Sequence, residues 1–221
     1  CEVLANTTIV YVTTITTQPT TPSAICVGGT ASITVAASLN GGSGSLSYQW
    51  QSSPDGSSSW TDVTVGTGIT TANYITDNLI TTTWFRCKIT SSTTSCTLFS
   101  NGVKVTVVPD PSITVQPTSG TICVGGNYTL SVTATNGTPS LTYQWQSSTT
   151  SGSGFTDISG ATSNTFNTGT INTVQTTYYQ CIVSASGNGC NSLTSSEATV
   201  TVVPDPVVSD QPDDITICDG P

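Results

Sequence analysis

Eight cysteines, twelve carboxylates and no histidine set the chemistry open to this 221-residue chain. Structural zinc draws on Cys-x-x-Cys pairs and histidine, and no two cysteines here have that spacing. A nucleophilic triad lacks its base. Glycoside hydrolysis needs two acids converging in a cleft. Asp62 and Asp157 recur twelve residues after Trp50 and Trp145 with no second acid placed beside them, so they read as turn or strand-end aspartates. No glycine-rich run follows a strand and opens a helix, so a phosphate cradle is absent. The expectation is a chain without a catalytic residue, without a cofactor, and not an enzyme.

The thiols point instead to covalent cross-linking. Scattered cysteines in a Thr-rich chain without methionine fit an oxidising, extracellular setting. Charged residues are only 7% of the chain and the net charge is −9, with Arg86, Lys88 and Lys104 the only fixed cations. That leaves no basic patch to neutralise phosphates, so no nucleic-acid partner is expected. Apolar residues, 35% of the total, come in short pieces, and no membrane span is expected.

The elements that position the cysteines come from a repeat. "SLSYQWQSS" at 45–53 returns as "SLTYQWQSS" at 140–148. Gln18-Pro19, Gln116-Pro117 and Gln211-Pro212 each precede an "IC" at Cys26, Cys123 and Cys218. Trp50 and Trp145 follow, then "WFRC" ending at Cys87 and "YYQC" ending at Cys181, then Cys96 and Cys190 nine residues later. "CEVLANTTIVYV" matches the close of each repeat, which makes Cys1 a third cysteine, and the tail matches an opening strand. The expected division is 1–14, the last strand of a preceding repeat; 15–108 and 109–204, two full repeats; and 205–221, a linker with the first strand of a following repeat. The chain then reads as a window on a longer array.

Within each repeat, apolar and polar residues alternate in runs of four to eight bounded by Gly, Asn and Pro, with no helical period. Six or seven such strands predict an all-β fold of tandem immunoglobulin-like antiparallel β-sandwich modules. Alternation places Tyr48 and Trp50 on one face with Gln49 and Gln51 on the other, and likewise Tyr143 and Trp145. Trp50 and Trp145 are expected as core plugs beside Phe85 and Tyr179 on the penultimate strand. Trp60 and Trp84, replaced by Phe155 and Tyr178 in the second copy, are not needed for packing and are candidate glycan contacts. The "VVPDP" segments at 107–111 and 202–206 read as proline-stiffened joints. Asp110, Asp205, Asp210, Asp213 and Asp214 lie at those joints. Calcium there is conceivable, but it usually takes six to eight oxygens, and solvated linker acid is the default. Asn6, Asn127 and Asn136 stand in glycosylation sequons.

The string Q-P, I-C-x-G-G, S-L-x-Y-Q-W-Q-S-S, T-D-[IV], T-T-[YW]-[YF]-x-C and a further Cys before a strand ending V-T-V resembles the tandem immunoglobulin-like repeats of very large Bacteroidota surface proteins. Some of these are type IX-secreted adhesins of gliding cells. The resemblance covers essentially the whole chain and implies an extracellular, cell-surface scaffold. Cys87 and Cys181 hold the place of the penultimate-strand cysteine of antibody domains. Its usual partner is replaced, with Val35 and Val132 standing near that position.

Three cysteines per repeat cannot all pair internally, and three pairings stay open. Relatives that keep only two cysteines suggest first-to-third pairing within a repeat, Cys123 to Cys190. A staple between modules would join Cys26 to Cys190. A hairpin bridge would join Cys87 to Cys96 and Cys181 to Cys190. Cys1, Cys26, Cys87, Cys96, Cys123, Cys181, Cys190 and Cys218 are all disulfide candidates, each bridge adding about 2 to 4 kcal/mol.

The functional expectation is the structural repeat region of a long extracellular filament or adhesin that spaces an adhesive end from the cell. The expected partners are neighbouring repeats, and possible further ones are surface polysaccharide or other chains of the filament. A carbohydrate-binding module and the accessory stalk of a secreted enzyme are the alternatives.

Overall fold

In the computed structural model the described residues are 2–4, 10–40, 44–92 and 96–210, with the backbone alone for 2–4 and 10–12. Cys1, Asn6, Asp213, Asp214 and Cys218 lie outside them. Every regular element among the described residues is a strand, and they form two β-sandwich modules in tandem. Ahead of the first module, Glu2–Leu4 pairs with Val10–Val12.

Each module is built around one long antiparallel strand pair. Leu46–Ser53 lies antiparallel to Thr83–Ser91 with Trp50 opposite Cys87, and Leu141–Ser148 to Gln175–Ala185 with Trp145 opposite Cys181. Alternation sorts the faces: along Thr83–Ser91, Phe85, Cys87 and Ile89 are buried while Trp84, Arg86 and Lys88 face outward. Thr61–Asp62 and Thr156–Asp157 extend these sheets on one side, and Val103–Val105 and Ala198–Val203 on the other. The facing layer pairs Thr14–Thr17 with Ala36–Ser38 and Ser32–Thr34 with Asn73–Ile75. Its counterpart in the second module pairs Ser112–Val115 with Thr133–Thr135 and Thr129–Ser131 with Thr165–Asn167. The run "YTLSVTA" at 128–134 forms two short strands flanking Val132, because it changes partner there.

The first edge changes sheets. Ser112–Val115 pairs in the small layer, the chain crosses at buried Pro117, and Gly120–Cys123 then runs parallel to Ala198–Val203 in the large one. The first module repeats this, with Pro19 buried and Ile25–Cys26 parallel to Val107–Val108. The repeated glutamine fixes the crossing: Asn101 N donates to Gln18 Oε1 and Ser196 N to Gln116 Oε1, each at 2.8 Å.

Two separate cores result. Trp50 and Trp145 are fully buried, and each indole nitrogen donates to a carbonyl, Thr71 O at 2.8 Å and Ser163 O at 2.9 Å. Buried indole is tolerated because its one polar group is satisfied. Phe85 and Tyr179 are buried, and Tyr48 and Tyr143 pack half-buried against the same cores. The ring that joins them was missed in the sequence. Tyr74 lies between Trp50 and Phe85 at 5.6 and 5.7 Å, and Phe166 between Trp145 and Tyr179 at 6.1 and 5.9 Å. Neither sits in a repeated string that would have marked it.

Candidate functional site

The residues that could act gather at the junction of the modules. Cys26 ends the short strand that pairs with Val107–Val108, and the turn after it, Val27-Gly28-Gly29, is held by Gly28 N donating to Leu79 O at 2.8 Å. From the second module, the loop Ser186-Gly187-Asn188-Gly189-Cys190 reaches back to it. Cys26 and Cys190 form a disulfide with Cα atoms 4.8 Å apart, inside the range a disulfide requires. Around it, Cys26 N donates to Asn188 O at 2.9 Å and Thr30 N to Asn188 Oδ1 at 2.7 Å. A Cβ on Gly29 would collide with the Asn188 carbonyl, and one on Gly189 with the Gly29 backbone. The two glycines are therefore what lets the backbones meet.

The linker is docked along its length. Val107–Val108 is a strand of the first module, and Pro109 O accepts from Gly137 N at 3.0 Å. Pro111 is buried in the second. The Asp110 carboxylate accepts from Asn191 N at 3.2 Å and Asn191 Nδ2 at 2.8 Å. Asn136-Gly137, both at positive φ (65° and 75°), makes the tight turn that brings Gly137 onto Pro111. Gly187 N donates to Thr138 O at 2.7 Å, fastening the cysteine loop to that turn. Asp110, a conceivable calcium ligand, is thus engaged by Asn191, and among the described residues no three Cys, Asp or Glu side chains converge on a possible metal site. Beside the disulfide a cleft of about 360 Å³ is lined by residues such as Ala24, Ile25, Thr138 and Pro139, without a charged side chain.

The structure separates the three pairings left open by the sequence. Cys123 and Cys190 lie at opposite ends of their module. Cys123 pairs with Val203 beside Gln175, while Cys190 follows the far end of Gln175–Ala185, and an 11-residue strand spans roughly 30 Å. The hairpin bridge fails on register: Cys87 and Cys181 lie opposite Ser100 and Ser195, whose hydroxyls accept their backbone N–H at 2.8 and 2.9 Å. Cys87, Cys123 and Cys181, all disulfide candidates by sequence, carry free thiols. Cys87 and Cys181 are sealed in the cores, where burial pushes their thiols up to about 12 and about 11. Cys96 is disulfide-bonded.

The aromatic candidates lie elsewhere, on the outer face of the first module's large sheet. The Arg86 guanidinium sits between Trp60 at 4.4 Å and Phe99 at 4.2 Å. Its Nε donates to Gln51 Oε1 at 2.9 Å, and Gln51 Nε2 donates to Asp62 at 2.8 Å. Gln180, Gln146 and Asp157 make the same relay in the second module, so the repeated aspartate ends a surface hydrogen-bond chain. Trp84 packs over Gly56, and the Trp60 edge lies on Gly102. Both tryptophans are half-buried, so this strip offers ring edges and partial faces.

Two antiparallel sandwiches in series with this strand order define a tandem immunoglobulin-like protein. The chain belongs to the family described as Domain of unknown function (DUF8696), which matches it twice, over residues 6–109 and 112–204. No curated protein matches it in sequence. Among solved structures it is similar to the three N-terminal domains of the bacteriophage RB49 Highly Immunogenic Outer Capsid protein (Hoc). The identity is 13% and the TM-score 0.55, over 87% of this chain and 70% of that one. Sidekick-1 immunoglobulin domains 1–4 match at 13% identity and a TM-score of 0.46, over 90% of this chain and 51% of that one. DIP-gamma IG1+IG2 matches at 14% and 0.42, over 86% and 97%. Identities this low bear on the fold alone, and of these three only the Hoc score carries that argument.

Proposed function

We propose that this chain is a structural spacer: the repeat region of a long extracellular filament or adhesin that holds an adhesive end away from the cell. The observation that carries the reading is the sealed joint, in which a disulfide, a docked linker and two Asn-centred contacts fix one module on the next. A binding module needs one competent domain, whereas a joint built this way serves the geometry between domains. Disulfides favour an oxidising compartment, and the resemblance to Bacteroidota surface repeats supports a bacterial surface reached by type IX secretion, including adhesins of gliding cells. The reading assigns no catalytic role. Gold-labelled antibodies to residues 13–204 are expected to decorate filaments projecting from intact cells. Label confined to soluble secreted particles would instead favour the stalk of an enzyme.

A second reading rests on the Trp84, Trp60, Arg86 and Phe99 strip, a form of surface used to stack sugars. On a glycan array it predicts a reproducible hit lost in both Trp60→Ala and Trp84→Ala. No hit, or one that survives both changes, removes it.

A further inference from the structure

We propose that the end of the second module around Cys123 is a docking surface for the third-cysteine loop of a further copy of this module, sealed by a disulfide from Cys123. The inference rests on the spacer reading. It starts from the fact that the first module presents the same surface at Cys26, where its occupant is visible.

The two surfaces are built alike. Ile122 and Cys123 lie parallel to Val202 and Val203 as Ile25 and Cys26 do to Val107 and Val108. Val124 N donates to Val203 O at 3.0 Å, as Val27 N does to Val108 O at 3.1 Å. Gly125 N reaches Ile171 O and Ile171 N reaches Gly126 O, the counterparts of Gly28 to Leu79 and Leu79 to Gly29. Gly125 and Gly28 share a φ of 83° and 84°. The turn that receives Asn188 in the first module is thus preformed in the second.

The difference is occupancy. Cys26 is fully buried, its amide donates to Asn188 O and its sulfur is bonded to Cys190. Cys123 is exposed and free. Parallel ladder bonds run through alternate residues, so the Cys123 amide points away from the last strand, as the Cys26 amide does. A Cβ on Gly29 meets the neighbouring module, whereas one on Gly126 meets only Cys123 O at 3.0 Å and Ile122 at 3.3 Å, both in its own module. The gap that Asn188 fills beside Gly29 stands open beside Gly126. The linker string recurs too, Pro204-Asp205-Pro206 standing where Pro109-Asp110-Pro111 is docked.

Closure is thiol–disulfide exchange with a small disulfide such as oxidised glutathione. Cys123 thiolate attacks it and releases one thiol. The third-cysteine thiolate of the incoming copy then attacks the mixed disulfide and releases the second, so two protein thiols are oxidised and one glutathione disulfide is reduced to two thiols.

The test is a chain in which Val203 is followed by a second copy of residues 109–204, refolded in a glutathione buffer and mapped without reduction. The expected map shows Cys26 to Cys190 and Cys123 to the third cysteine of the added copy. Iodoacetamide modification of Cys123 should fall on the order of tenfold or more relative to the present chain, through loss of the accessible thiolate. A second form with that added cysteine replaced by Ser should still shield Cys123 if the surfaces dock. Gly126→Val should block both the link and the shielding while Cys26 to Cys190 persists. Cys123 equally reactive in the extended chain, with Cys26 to Cys190 intact, overturns the docking proposal and leaves the spacer reading standing. Absence of Cys26 to Cys190 itself overturns both.

Discussion

At the level of single residues, the two core cysteines behave as small apolar groups. Cys87 faces Trp50 across the sheet and Cys181 faces Trp145, with Val35 and Val132 buried in the same cores. Both thiols are free, so neither makes the inter-sheet bond. Burial raises both thiols, to about 12 and about 11, above the ordinary value of ~8.5 that the unfolded chain has. The folded state therefore holds its protons longer than the unfolded one. The stability contributed is fully present below about pH 8 and is lost as pH rises through the window from ~8.5 to the folded values. In melting curves from pH 7 to 11, the Cys87→Ala, Cys181→Ala double variant is expected to show a shallower alkaline fall than the parent. An unchanged slope would mean that other groups carry it. Truncating an indole acts more directly: Trp50→Ala or Trp145→Ala removes a fully buried ring and should cost about 3 to 5 kcal/mol. Because the cores are separate, calorimetry should show only the mutated module melting early, and a single shifted transition for both would argue that the joint couples their unfolding.

Among the elements, the long central strands and their tryptophans were legible because period-two alternation and a repeated nine-residue string report the same thing twice. The Gln-Pro repeat was legible as punctuation, while its work, carrying the first edge from one sheet to the other, shows only in the pairing of Ile25–Cys26 and Gly120–Cys123. The joint was half legible. Three cysteines per repeat forced the question of pairing, but choosing among partners required knowing which strand ends face each other. Asn188 gave no signal, because a Gly-Asn-Gly turn looks the same whether it meets solvent or a neighbour. Tyr74 and Phe166 were missed for the opposite reason: their strands are three residues long, too short for alternation to register. The close approach of the two turns gives the sharpest element-scale prediction. Gly29→Val should hold Asn188 away from Cys26 and cut the yield of the Cys26 to Cys190 bond, with each module still folded by circular dichroism. A full yield in that variant would show that the joint tolerates a wider gap than the one observed.

Over the whole molecule, the staple changes which part of the chain can bear load. A pull along the chain enters at Cys26, crosses the disulfide and leaves at Cys190, so the intervening segment, a separation of 164 residues, is bypassed. That segment contains most of both modules, including all four tryptophans and both core cysteines. While the bond holds, no force on the termini can draw it out. Fully extended, 164 residues span roughly 540 to 590 Å. Single-molecule stretching of the chain, gripped outside Cys26 and Cys190, should therefore show only short extensions when oxidised. With a reductant present, a gain in contour length of roughly 540 to 590 Å should appear, because the two ends of the segment start only 4.8 Å apart. The Cys26→Ser variant should show only part of that gain without reductant, because Cys96, inside the segment, is disulfide-bonded as well. Because the bond spans more than the 95-residue repeat, a second staple from Cys123 would begin inside the first and overlap it. In an array closed that way, reducing a single bond would leave part of the released segment inside its neighbour's loop. Extension should then come in steps smaller than the single-staple value. Steps of the full single-staple length in a three-module chain would show that its joints are locked independently.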